Sequence, residues 1–135
     1  MSGLAGRQEA LVRALVGGGG LPAGFDARLV GAAAKALLRK RSGEIVRAWP
    51  ELAGSEAEIV RWAEGRPSLG SWRDGWEFAR EHRESLGRDA LTALVVCEVR
   101  WIHGGEPRRR RGPVVRRVPG GAVFGAFGRR VVLRR

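Results

Sequence analysis

The sequence predicts an α+β protein: an N-terminal bundle of four to five helices followed by a small C-terminal antiparallel sheet of three to four strands. Three observations carry this. Apolar residues recur at helical spacing through most of residues 7–97. From residue 98 the chain turns to short β-favouring runs divided by Gly, Pro and Arg clusters. The charge changes at the same place. Residues 1–99 carry 14 basic and 13 acidic side chains, and residues 100–135 carry 11 arginines and the single acid Glu106, so +1 and +10 make up the formal +11. The expected organisation is a helical domain over 1–97 with an Arg-rich sheet region over 98–135 packed on it.

The first helix is read over residues 7–16, where Ala10, Leu11, Ala14 and Leu15 form one stripe. Four glycines at 17–20 stop it, because they lose too much backbone entropy in a helix. Residues 21–24 continue the loop, and Phe25 is expected to plug the core. Asp26 is a plausible N-cap for the next element. Residues 27–49 read as one long helix or two stacked ones. Leu29, Val30, Ala33, Leu37 and Leu38 give it a stripe that Ile45, Val46 and Trp49 continue. Gly43 costs about 1 kcal/mol against Ala inside a helix, so a kink or break is expected there. Pro50 closes the element.

Ser55 is placed to cap a third helix over 56–63, with Glu56 and Glu58 near the positive end of its dipole. Ser71 is placed to cap a fourth, reaching about residue 86. Trp72, Trp76 and Ala79 line one side of it, with Phe78 close by, and Arg80, Glu81, Arg83 and Glu84 form a mixed-sign solvated face. A fifth element over 88–97 starts helical and turns β-like near Val95. Residues 98–102 alternate polar and apolar. Strands are expected at 114–118, 122–127 and 130–133, with Pro119-Gly120-Gly121 as a turn.

Length and composition bound the chemistry. A chain of 135 residues with 44% hydrophobic content and five Trp suits one domain with a real core. One cysteine, Cys97, excludes an internal disulfide and a multi-cysteine zinc site, and its apolar surroundings suit a small buried hydrophobe. No run approaches the length of a membrane span, and the N-terminus lacks a signal-peptide core, so a cytoplasmic protein without membrane association is expected. His82 and His103 are too few and too far apart in sequence for a metal site, and no acid/base pair or nucleophile–base set is visible. No catalysis, cofactor or metal is expected. The four tryptophans at 49, 62, 72 and 76 read as core.

Arg108, Arg109, Arg110 and Arg111 are the sharpest local feature. Three readings stay open for them: a solvated loop between strands, attraction of an acidic peptide, or pairing with phosphates. Arg116, Arg117, Arg129 and Arg130, with Arg134 and Arg135, add guanidinium groups along the expected strands. Adjacent pairs there put one charge on each face. The edge of so small a sheet either is protected or receives an added strand.

The helical block resembles a known family. The run from Leu37 through Arg47, Trp49, Pro50 and Leu52 is similar to an "R…(aromatic)-P-x-L" segment. Gly65-Arg66-Pro67, then Ser71, Gly75 and Phe78, resembles that family's "P…S…G-x-x-F" segment. The family is a small helical partner domain found beside, or fused to, multinuclear non-haem iron-dependent oxidases that modify ribosomal peptides, here in its actinobacterial form. Its members have also carried a DNA-binding label. The resemblance covers residues 7–86. It implies a non-catalytic partner that captures a precursor-peptide leader and presents it to the oxidase, with the iron held by the oxidase. A nucleic-acid binder using the basic C-terminal region is the alternative, although the basic charge lies off the helices that would enter a major groove.

Overall fold

The computed structural model describes residues 3–17, 20, 23–127 and 129–134. Five helices precede two small antiparallel sheets, an α+β arrangement. The helices are α1 (Leu4–Gly17), α2 (Ala27–Ala48), α3 (Glu56–Ala63), α4 (Ser71–Glu81) and α5 (Arg88–Arg100). Strands β1 (Trp101–Ile102) and β2 (Arg108–Arg109) form a ribbon of their own. Strands β3 (Val114–Val118), β4 (Gly121–Ala126) and β5 (Arg129–Arg134) form a three-stranded meander. The chain divides into two compact units, Met1–Gly75 and Trp76–Arg135. Residue 97, after which the sequence turns to strand-like patterning, lies inside α5, which packs on the meander.

In the first unit, Asp26 caps α2 as expected, its carboxylate accepting from the Arg28 N–H at 2.8 Å. The helix runs through Gly43 without a break. Ser42 beside it is buried and donates to the Glu56 carbonyl at 3.1 Å, so packing of α2 on α3 overrides the glycine's weak propensity. Ile45, Trp49, Leu52, Ile59, Trp62 and Ala63 are buried in this unit. The first half of α2 departs from expectation. Leu29 is 71% exposed, and Ala33 and Leu37 are exposed with it, so the stripe is buried only in its second half. Phe25 is exposed too and plugs no core. The expected loop at 17–20 is only partly visible: α1 extends to Gly17, and residues 18 and 19, like 21 and 22, lie outside the described residues.

Helix α3 has the predicted bounds, but Ser55 makes no side-chain cap. The Glu56 carboxylate instead accepts from the Gly54 N–H at 2.9 Å. The half-buried organiser of this unit is Arg41. Its Nε donates to Asp74 Oδ2 at 2.9 Å, while Nη1 and Nη2 donate to the carbonyls of Arg66 (2.6 Å) and Pro67 (3.2 Å). Asp74 also accepts from the Ser68 hydroxyl (2.8 Å) and the Leu69 N–H (3.0 Å), so it fastens the loop that leads into α4.

In the second unit, α4 ends at Glu81, earlier than expected, and Arg83–Ser85 forms one 3-10 turn. Helix α5 persists to Arg100, and only Trp101–Ile102 of the alternating run is strand. Val95, Val96 and Val99 fall on one helical face and pack with buried Val123, flanked by Leu91, Val114, Val118 and Val132. Burial of that face against the sheet outweighs the strand preference of its valines. Gly125 on β4 lies so close to Val99 that a Cβ there would collide with the valine side chain. Pro119 and Gly120 form the β3–β4 turn, with Gly120 at φ +75°.

Candidate functional site

Cross-strand pairing assigns the meander's faces, since paired residues share a face. Arg116 pairs with buried Val123, which pairs with Val132, so this row faces α5. Val115, Phe124 and Val131 form the next row on the opposite face, and all three are exposed. Arg117, Ala122 and Leu133 form a further row on that outer face. The outer face is therefore apolar along its middle, with Arg117 and Arg129 beside the apolar row. Arg129 and Arg130 join Phe124, Ala126, Phe127 and Val131 around a shallow hollow of about 380 Å³. Phe127 is 84% exposed and has φ +50°, a strained backbone for an aromatic residue at a hairpin tip. β3 and β5 are the edge strands, and among the described residues neither pairs with a further strand.

A second feature of this unit is an arginine cleft of about 380 Å³, lined by Trp76, Arg80, Arg83, Glu98, His103, Arg110 and Arg116. Four elements and the residues that follow β1 and β2 supply these groups: Trp76 and Arg80 come from α4, Arg83 from the 3-10 turn, Glu98 from α5, and Arg116 from β3. Arg110 follows β2, and its N–H donates to the Arg100 carbonyl at 2.8 Å, extending the β1–β2 ribbon by one bond. His103 follows β1. Its Nε2 lies 2.6 Å from Glu77 Oε1, and its ring meets Trp76 edge-on at 5.2 Å. Arg83 Nη1 donates to both oxygens of Glu98 at 2.9 and 3.0 Å, so the one carboxylate lining the cleft is already matched. Among the described residues no carboxylate pairs with Arg80, Arg110 or Arg116. The Arg110 Nε is shut away from solvent and has no hydrogen-bond acceptor.

The structure thus splits the arginines singled out in the sequence. Arg110 and Arg116 meet in the cleft. Arg108 and Arg109 form β2 rather than a loop, with Arg109 5.4 Å over the Trp101 ring. Arg111 is exposed, as is Arg47 in the last turn of α2. Arg135 lies outside the described residues, and nothing is described of the Arg134 side chain. Arg80 and Arg83, read as part of a solvated face, belong to the cleft. No local signal places them there, because their mixed-charge segment reads as solvent-facing.

The family-like motif residues have structural work. Trp49 Nε1 donates to the Trp72 carbonyl at 2.9 Å, and its indole lies where a Cβ on Gly75 would be. Pro50 opens a 3-10 turn that ends at buried Leu52, and Phe78 is buried in the second unit, stacked on His82 at 4.3 Å. Burial, helped by Glu98 and opposed by Arg100, pushes the Cys97 thiol up to about 12, so it is a protonated packing group at neutral pH. Among the described residues no group of three or more His, Cys, Asp and Glu could hold a metal ion, and no helix is long and apolar enough to cross a membrane.

These features define a small α+β protein with a basic, open-edged sheet. The chain belongs to the family of SCO6045-like C-terminal domains, which matches it over residues 5–84, from α1 into the turn after α4. A UPF0276 protein from Streptomyces avermitilis is 41% identical over 91 residues, covering 63% of this chain. The chain spans only 18% of that relative's length. No solved structure matches it.

Proposed function

We propose that this chain is a non-catalytic adaptor that binds the leader of a ribosomal precursor peptide and presents the peptide to an iron-dependent oxidase in the cytoplasm. The observation that carries the reading is the three-stranded meander, whose edge strands pair with no further strand among the described residues and whose sequence is rich in arginine. An extended acidic peptide added to such an edge gains main-chain hydrogen bonds, and the arginines speed its arrival. The helical unit supplies the second half of the role. Leu29, Ala33 and Leu37 leave an exposed apolar stripe on α2, suited to docking on a larger protein. The family is a C-terminal domain, and a relative between three and four times the length of this chain carries a similar segment, which fits a module that works on a bigger partner. The family resemblance in the helical segments names that partner as an oxidase.

Hydrogen exchange tests the strand addition. The probe is a peptide of alternating Val and Glu added to the full chain. Slowed exchange at alternate amides of β3 or β5 is expected. Binding that leaves both edges unprotected contradicts the mode of capture. Salt-sensitive binding to duplex DNA, with no response to the peptide, favours the nucleic-acid reading instead.

A further inference from the structure

We infer that the cleft between α4, α5, the β1–β2 ribbon and β3 is a carboxylate receptor, with Arg80, Arg110 and Arg116 as its binding groups and Trp76 as its wall. Four guanidinium groups and one carboxylate line a space of about 380 Å³. Arg83 and Glu98 satisfy each other, which leaves three cations facing one hollow with no anion among the described residues. Gathering like charges raises the local potential, and the low-dielectric walls of a cleft focus it. The buried Arg110 Nε is a donor without an acceptor, a costly state that an incoming oxygen relieves. Planar guanidinium forks match the two oxygens of a carboxylate.

The surroundings favour carboxylate over phosphate. The lining from α4 and α5 comes from the second half of α4 and the last turn of α5, where helix dipoles place partial negative charge. Phosphate sites gain from helix N-termini and their free amides, and the cleft's lining residues provide no such end. Carboxylates, with less charge per group, suit three guanidiniums against that background. Arg116 also belongs to edge strand β3, so the cleft reads side chains beside the edge where a peptide strand is proposed to add. That the carboxylates belong to a leader peptide rests on the adaptor reading; the cleft's chemistry does not.

The test follows the side-chain Nε–Hε signals of the 15N-labelled full chain during titration with citrate and, separately, inorganic phosphate. Citrate is expected to move the Arg110 signal saturably and to bind more tightly than phosphate. Arg110→Gln and Arg80→Gln are each expected to weaken citrate about tenfold or more, the loss of one charge-assisted contact. Arg80 is exposed at the end of α4, so its variant keeps the fold even where Arg110→Gln does not. Phosphate binding as tightly as citrate overturns the carboxylate assignment. No saturable shift, or unchanged citrate affinity in Arg80→Gln, overturns the site. The Val-Glu peptide separates the two proposals. Equal peptide affinity in the wild type and both variants overturns the assignment of the cleft to the peptide's carboxylates while leaving strand addition standing. Citrate binding without edge protection by the peptide does the reverse.

Discussion

Arg41 Nε donates to Asp74 Oδ2 at 2.9 Å, joining the middle of α2 to the first turn of α4 through a side-chain pair that is 13% and 1% exposed. The pair is not isolated, since the guanidinium also reaches the Arg66 and Pro67 carbonyls and the carboxylate also takes Ser68 and Leu69. Removing one partner strands a buried charge. Arg41→Ala and Asp74→Ala are each expected to cost about 3–5 kcal/mol in urea unfolding. The double variant is expected to lose clearly less than the sum of the two. Additive losses would show that the two residues act separately.

Gly75 gives way to Trp49. A methyl group on Gly75 would collide with the Trp49 indole ring, which is itself held by its bond to the Trp72 carbonyl. Gly75→Ala is expected to destabilise the chain by about 1–3 kcal/mol through overpacking. Trp49→Phe alone loses packing and a hydrogen bond. In the Trp49→Phe background, however, Gly75→Ala is expected to cost less than in the wild type, as read by thermal melting. An equal cost in both backgrounds would place the strain elsewhere.

The bounds of helix α3 were legible, because its acidic first turn and apolar face agree over eight residues, although Ser55 makes no side-chain cap. The meander was legible to within one residue at most strand ends, because turn glycines bracket alternating runs. Two kinds of feature were not. Arg80 and Arg83 sit in a segment of mixed charge that reads as solvent-facing, and only tertiary folding brings them beside Arg110 and Arg116. The second half of α5 is rich in valine, and its helicity depends on the sheet it packs against. The Arg41–Asp74 pair was equally hidden, since nothing local ties residues 33 positions apart.

The close approach of α5 to β4 rests on Gly125. Its Cβ would collide with the Val99 side chain. Gly125→Ala is expected to destabilise the second unit by about 1–3 kcal/mol. Val99→Ala, which opens the space, is expected to recover part of that loss in the double variant. Chemical denaturation of the four proteins in the cycle reads the coupling.

Cys97 makes a pH prediction with a definite sign. Its thiol rises from 9.0 to about 12, mainly through burial. The folded state thus holds the proton more tightly than the unfolded chain. Its contribution is fully present below pH 9.0 and is lost as pH climbs toward about 12. Cys97→Ala is expected to flatten that alkaline decline and to leave the profile between pH 6 and 8 unchanged in shape. At pH 8 the native thiol is expected to resist alkylation by iodoacetamide and to react once the chain is unfolded.

The proposed role has the basic sheet capture a peptide on behalf of an oxidase. Tagged full chain drawn from its native lysate, after nuclease and at low and high salt, tests this most directly. An iron-containing oxidase and a small acidic peptide are expected in the nuclease-treated eluate, with the peptide depleted when Arg116→Glu and Arg117→Glu are combined. Recovery of nucleic acid alone, lost on nuclease or salt, would contradict it.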